Sequence, residues 1–210
     1  MNLQGLLSEA MSSLTIGQIS QDLGADENTT AKAVRVALPI LIGAMAENCA
    51  TSDGASSLVG ALDRDHNGSL LDDIGGFLSD FNSSDGLGIL DHIFGQHMGT
   101  VQHGISQASR LDAGRARQLL ATLAPLVMGA VGRIYRQDGL DANSLAGYLN
   151  GTSQQMMAES KKKIDLYYRK EGVNSSNVIA RGYNGNNAVA NNDTDEGRFM
   201  MRRLEYAVAK

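Results

Sequence analysis

The chain has 210 residues, of which 42% are hydrophobic and 20% charged, a balance that excludes a disordered or fibrous protein. Aromatic residues make up only 5% and Trp is absent, so any core must be built from aliphatic side chains and the nine Met. Charge is unevenly spread: residues 1–158 carry 8 Lys+Arg against 16 Asp+Glu, and residues 159–210 carry 10 against 7. That shift marks a candidate boundary, with a domain over 1–150 and a second region over 151–210.

The predicted elements are mostly helical. Leu3, Leu6, Leu7, Ala10, Met11 and Leu14 recur at three- and four-residue spacing, which predicts one amphipathic helix begun by Asn2. A short helix is expected over Ile16 to Leu23, with Gly24 as its stop and Asp26 as the cap of the next. In that third helix Ala31, Val34, Leu38, Leu41 and Met45 share a face, and Pro39 is expected to kink or split it.

A repeat is visible at an offset of 86 residues. Ile19-Ser20-Gln21 recurs as Ile105-Ser106-Gln107, and Asp26, Pro39, Gly43 and Ala44 recur as Asp112, Pro125, Gly129 and Ala130. Two copies of one helical unit are implied. Between them, helices are expected over Ser56 to Leu62, Leu70 to Phe81 with Ile74, Phe77, Leu78 and Phe81 inward, and Leu87 to Phe94. After Gly139-Leu140-Asp141 a helix containing Leu145, Tyr148 and Leu149 is expected to close the bundle. Another is expected from Thr152 to Gly172, with Met157, Ile164 and Tyr167 on one face. Val178 to Tyr183 and Arg203 to Val208 read as two short strands.

The apolar runs Val36 to Ala46 and Leu119 to Gly132 are shorter than the roughly 18 residues of a membrane span and each contains a Pro, so no transmembrane segment is expected. Nothing basic precedes Lys32, and the charged start of a secretory signal is missing. On that ground alone the expected location is the cytoplasm.

Asp65-His66-Asn67-Gly68-Ser69-Leu70-Leu71-Asp72-Asp73, Gly88 to Gly95 and Leu123-Ala124-Pro125-Leu126-Val127-Met128-Gly129 resemble the YidB-like family of bacterial proteins of unknown function. The resemblance covers about residues 1–150 and implies an all-helical fold. Farther on, Gly172-Val173, Ala180-Arg181-Gly182-Tyr183, Val189 to Thr194, Glu196-Gly197-Arg198 and Arg202-Arg203-Leu204-Glu205 are similar to the C-terminal half of the OmpA-like domain, over residues 159–210. That resemblance implies a bacterial cell-envelope location and peptidoglycan as a partner. The fold class expected is therefore mainly α: a duplicated multi-helical bundle followed by a truncated α+β fragment ordered helix, strand, strand.

The second resemblance is partial. The family's opening strand, helix and strand, with a Thr-Asp pair that grips the ligand amine, have no counterpart before Thr152. Ser160 stands where the family has its ligand-binding Arg, and the neighbouring Lys161, Lys162 and Lys163 lack a guanidinium's bidentate fork. The family-motif positions that remain are Asp193, Arg198, Arg202 and Arg203. Two strands alone leave unpaired edges, so docking on the helical part, homo-oligomerisation through them, partial disorder over Asn184 to Asp195, or descent from a longer chain by deletion is expected.

The metal candidate is Asp63-x-Asp65-x-Asn67-Gly68, which has oxygen ligands at the first, third and fifth positions of a calcium loop and Gly at the sixth. Position twelve is Ile74 instead of Glu, with Asp73 one residue early; the competing reading is an Asx turn capping the next helix. His92, His97 and His103 lack the i, i+4 spacing of a zinc pair. Cys49 has no placed base, and no phosphate loop, dinucleotide fingerprint or nucleophile elbow occurs, so neither enzyme activity nor a cofactor is expected. Residues 16–38 can be drawn as helix-turn-helix, but the second helix offers only Lys32 and Arg35 within an acidic surround, which argues against nucleic acid. A non-enzymatic envelope-associated binding or scaffolding protein is the expected function, with a cytoplasmic helical regulator or nucleic-acid-binding protein as the alternative.

Overall fold

The computed structural model describes residues 2–170, 178–182 and 204–208, with side chains through residue 159. The chain divides into two compact units, 1–153 and 154–210. Its described elements are α1 (Leu3–Ala10), α2 (Ser13–Leu23), α3 (Glu27–Asn48), α4 (Ser52–Arg64), a 3-10 turn (Ser69–Asp72), α5 (Ile74–Ser79) and α6 (Ser83–Phe94). A second 3-10 turn (Gly95–His97), α7 (Met98–Ser109), α8 (Ala113–Gln137), α9 (Ala142–Lys170) and the strands β1 (Val178–Gly182) and β2 (Leu204–Val208) come next. The protein is mainly helical.

Helix starts follow side-chain chemistry. The carboxylates of Asp26 and Asp112, one from each repeat, accept the backbone N–H of Thr29 and Arg115 at 2.9 and 3.0 Å. The duplication extends to the preceding helix ends, where Gly24 and Arg110 occupy equivalent positions and both adopt left-handed backbone, with φ of +58° and +68°. Left-handed geometry costs a residue with a Cβ more than it costs Gly. Arg110 adopts it because the cap conformation is dictated by the helix end: its N–H bonds the Ser106 carbonyl.

Helix α8 is the centre of unit 1. Every residue from Leu119 to Gly132 is buried, so the helix is surrounded on all sides. By length and composition both α3 and α8 are apolar enough to cross a membrane, because each helix extends well past the apolar run visible in the sequence; 83% of the qualifying stretch of α8 is buried within the fold.

Of the kink or split expected at proline, the split does not occur: α3 and α8 run through Pro39 and Pro125 unbroken. Each proline removes one N–H and frees the carbonyl four residues earlier. Arg35, which bears one such carbonyl, is exposed to solvent. Ala121, which bears the other, is buried, and α6 lies against it so tightly that a Cβ on Gly86 would collide with the Ala121 oxygen. Close approach of the two backbones requires glycine there.

Other expectations shift at helix ends. Ser12 accepts the Thr15 N–H and begins a new helix, so Leu14 belongs to α2 rather than to the α1 face and is 84% exposed. Asp73 caps α5 through the Gly76 N–H, splitting the helix expected over 70–81. Of its four inward candidates only Leu78 is fully buried, while Phe77 and Phe81 make a tilted ring pair with centroids 5.3 Å apart. The helices expected on either side of residue 151 are one helix, α9, because no proline and no left-handed stop interrupts it.

Asp141 begins α9 by accepting the Ser144 N–H, Leu145 and Leu149 are fully buried, and the Tyr148 hydroxyl accepts the Leu3 N–H at 2.9 Å. One of the unpaired donors at the start of α1 is thereby satisfied. In unit 2, β1 and β2 pair antiparallel, with Val178 opposite Val208 and Gly182 opposite Leu204.

Two measurements test these contacts. Gly86→Ala should lower unfolding free energy by about 3 kcal/mol in urea melts, as overpacking against a rigid backbone does. Gly88→Ala, where a Cβ meets open space, should instead raise it by up to about 1 kcal/mol through helix propensity. Hydrogen bonds from Thr29 and Ser144 hold the Asp26 and Asp141 carboxyls below their ordinary 3.8. Their contribution is present above pH 3.8 and is lost as pH falls through the depressed values. The pair of substitutions Asp26→Asn and Asp141→Asn should therefore flatten the acid limb of melting temperature against pH.

Candidate functional site

Between α4 and α6, over the end of α3, unit 1 holds a cavity of about 980 Å³. Its floor is formed by buried Met45 of α3, Cys49 at the end of that helix and Met128 of α8. Leu58, Ile89 and Ile93 form apolar walls, and small residues, notably Ser57, Gly60 and Gly88, line the cavity beside them. Arg64, Asp65, His66, Asp85 and His92 supply the polar lining. An apolar floor with a few polar groups around it is the usual make-up of a ligand pocket.

The groove is held open from outside. The chain leaving α4 is clamped to α8 by Arg133, whose Nη2 donates to the Gly68 carbonyl and to the Asp72 carboxylate, both at 2.6 Å. The His66 carbonyl lies so close to α8 that a Cβ on Gly132 would overlap its oxygen. Two glycine approaches, Gly86 on Ala121 and Gly132 on His66, thus fix both walls to the same central helix. Asn48 adds a tie from α3, donating to the Ile93 carbonyl at 3.1 Å.

Electrostatics in the groove favour uncharged side chains in the floor. Burial pushes the Cys49 thiol up to about 11, which suppresses the nucleophilic thiolate. Burial also lowers the His66 imidazole below its ordinary range, against the opposing pull of the Asp65 and Asp85 carboxylates. Arg64 and Asp65 approach at 4.0 Å, while Asp85 makes no hydrogen bond or ion pair among the described residues.

The calcium-loop candidates are dispersed. Asp63 lies in the last turn of α4, Asp65 comes directly after that helix and lines the groove, Asn67 accepts the Ser69 N–H in an Asx turn, and Asp73 caps α5. Among the described residues no group of three or more His, Cys, Asp or Glu is placed to hold a metal ion. Asp193, Arg198, Arg202 and Arg203 lie outside the described residues.

A family model described as a bacterial protein of unknown function (DUF937) matches residues 5–133. The chain belongs to this YidB-like bacterial family. No curated protein and no solved structure matches the chain. The DUF937 segment contains both repeats through Arg133 and every residue that lines the groove.

Within this DUF937 fold, Cys49 and His92, separate features in the sequence, share one cavity. Asp85, Gly60 and Gly88 carry no motif that points to a site. Their one signal is the run of Gly and Ser in α4 and α6, which reads equally as weak helix. Ellman's reagent checks the state of the thiol: in folded protein at pH 8 Cys49 should react at least about tenfold more slowly than after unfolding in urea.

Proposed function

We propose that the protein is a non-enzymatic binding or scaffolding protein of the bacterial cell envelope, with the α4–α6 groove as its ligand-receiving site. The groove carries this reading: it offers volume and an apolar floor, but its thiol is held protonated by burial. Binding needs the first two properties, whereas nucleophilic catalysis needs an activated group.

The envelope location rests on the tail's resemblance to the second half of an OmpA-like domain. The helix-strand-strand order of α9, β1 and β2 supports it. Without the guanidinium fork at Ser160, peptidoglycan affinity is expected to be weak or lost. The acidic balance of residues 1–158 disfavours a phosphate backbone as partner.

Co-sedimentation with purified peptidoglycan sacculi, alongside DNA binding at about 50 and about 200 mM salt, separates the readings. Weak sacculus association with no DNA retention is expected. Salt-sensitive DNA binding without sacculus association would overturn the envelope reading in favour of a cytoplasmic regulator.

A further inference from the structure

We infer that the α4–α6 groove receives a small amphiphile, an apolar body carrying one protonated amine. The inference rests on the groove being a ligand site and adds the chemical class of its ligand.

The duplication supplies the internal control. At the 86-residue offset, Ile89, His92 and Ile93 of α6 correspond to Leu3, Leu6 and Leu7 of α1, while Met45 and Met128 correspond to Val131 and Ile42. All five counterparts are buried, at 4% exposure or less. In that half the helix following the repeat, α9, buries Leu145 and Leu149, and its Tyr148 hydroxyl bonds the first N–H of α1. The equivalent space is filled by the protein's own side chains.

In the other half the helix following the repeat is α4, and the counterpart space is the cavity. His92 stands in place of Leu6, and Gly60 and Gly88 line the opening with little or nothing near their missing Cβ atoms. One flank is closed by its own side chains; in the other, His92 is exposed where Leu6 is buried, and the cavity lies beside it. A ligand with an apolar body supplies the missing contacts with Met45, Met128, Ile89 and Ile93.

Charge selects the head group. Arg64 is offset by Asp65 beside it, and half-buried His66 is held toward its neutral form, which leaves the carboxylate of Asp85, exposed in the first turn of α6, as the net charge of the lining. One carboxylate beside an apolar cleft favours an ammonium over a neutral or anionic head.

Octylammonium, octanol and octanoate, each below its micelle concentration, can be titrated into the full 15N-labelled chain and followed by amide NMR. Shifts should concentrate in α4, α6 and the end of α3, with octylammonium bound about three- to fivefold more tightly than octanol, the advantage of one exposed ion pair. Octanoate should bind most weakly. Asp85→Asn should remove the preference for octylammonium over octanol, and Gly88→Leu should block all three. Gly60→Leu repeats the blocking test should the first variant lose its helical circular dichroism. Equal or tighter binding of octanoate overturns the amine assignment and leaves the groove as a ligand site. Failure of all three to shift groove amides overturns both.

Discussion

Complete burial of α8 is the constraint that sets the arrangement of unit 1. A helix enclosed on all sides for fourteen consecutive residues, Leu119 to Gly132, needs neighbours on every face, and α1, α2, α3, α4, α6 and α7 supply them. Burial also makes Pro125 consequential. The carbonyl it frees, at Ala121, cannot turn to bulk water and instead has the α6 backbone packed upon it at Gly86. Position 39 has the same residue in the equivalent place, but its freed carbonyl lies on exposed Arg35 and makes no comparable demand.

The two repeats share their local devices and differ in their surroundings. Aspartate caps, left-handed helix ends and through-running prolines are common to both. The helices packed after the two repeats are unlike: α9 brings large buried side chains and a tyrosine tie, whereas α4 brings glycine and serine and buries only Ala55 and Leu62. A duplicated fold can keep one half as scaffold and open the other, because stability requires the central helix to be covered and does not require both flanks to be covered alike.

The polar chemistry around the groove is arranged for shape. Arg133 commits its guanidinium to a carbonyl and a carboxylate of the segment after α4, and Asn67 and Asp73 of the calcium-like motif turn and cap the chain. Of these bonds the one to the part-buried Gly68 carbonyl satisfies a backbone group turned toward the protein interior. Cys49, set beneath them among apolar neighbours, is kept protonated by desolvation.

Residue order alone establishes the helical class, the duplication, the capping roles of Asp26 and Asp112, and membership of a bacterial family. Periodicity, caps and repeats are local signals, written in the residues that carry them. Packing was needed to reveal that Leu14 faces outward, that Pro39 and Pro125 leave their helices whole, and that α9 runs through residue 151. The groove is likewise a product of packing, since Met45, Gly60, Asp85, His92 and Met128 come from four helices. Their meeting depends on how closely α6 and the chain after α4 approach α8 at two glycines, and closeness of approach between distant segments has no local signature.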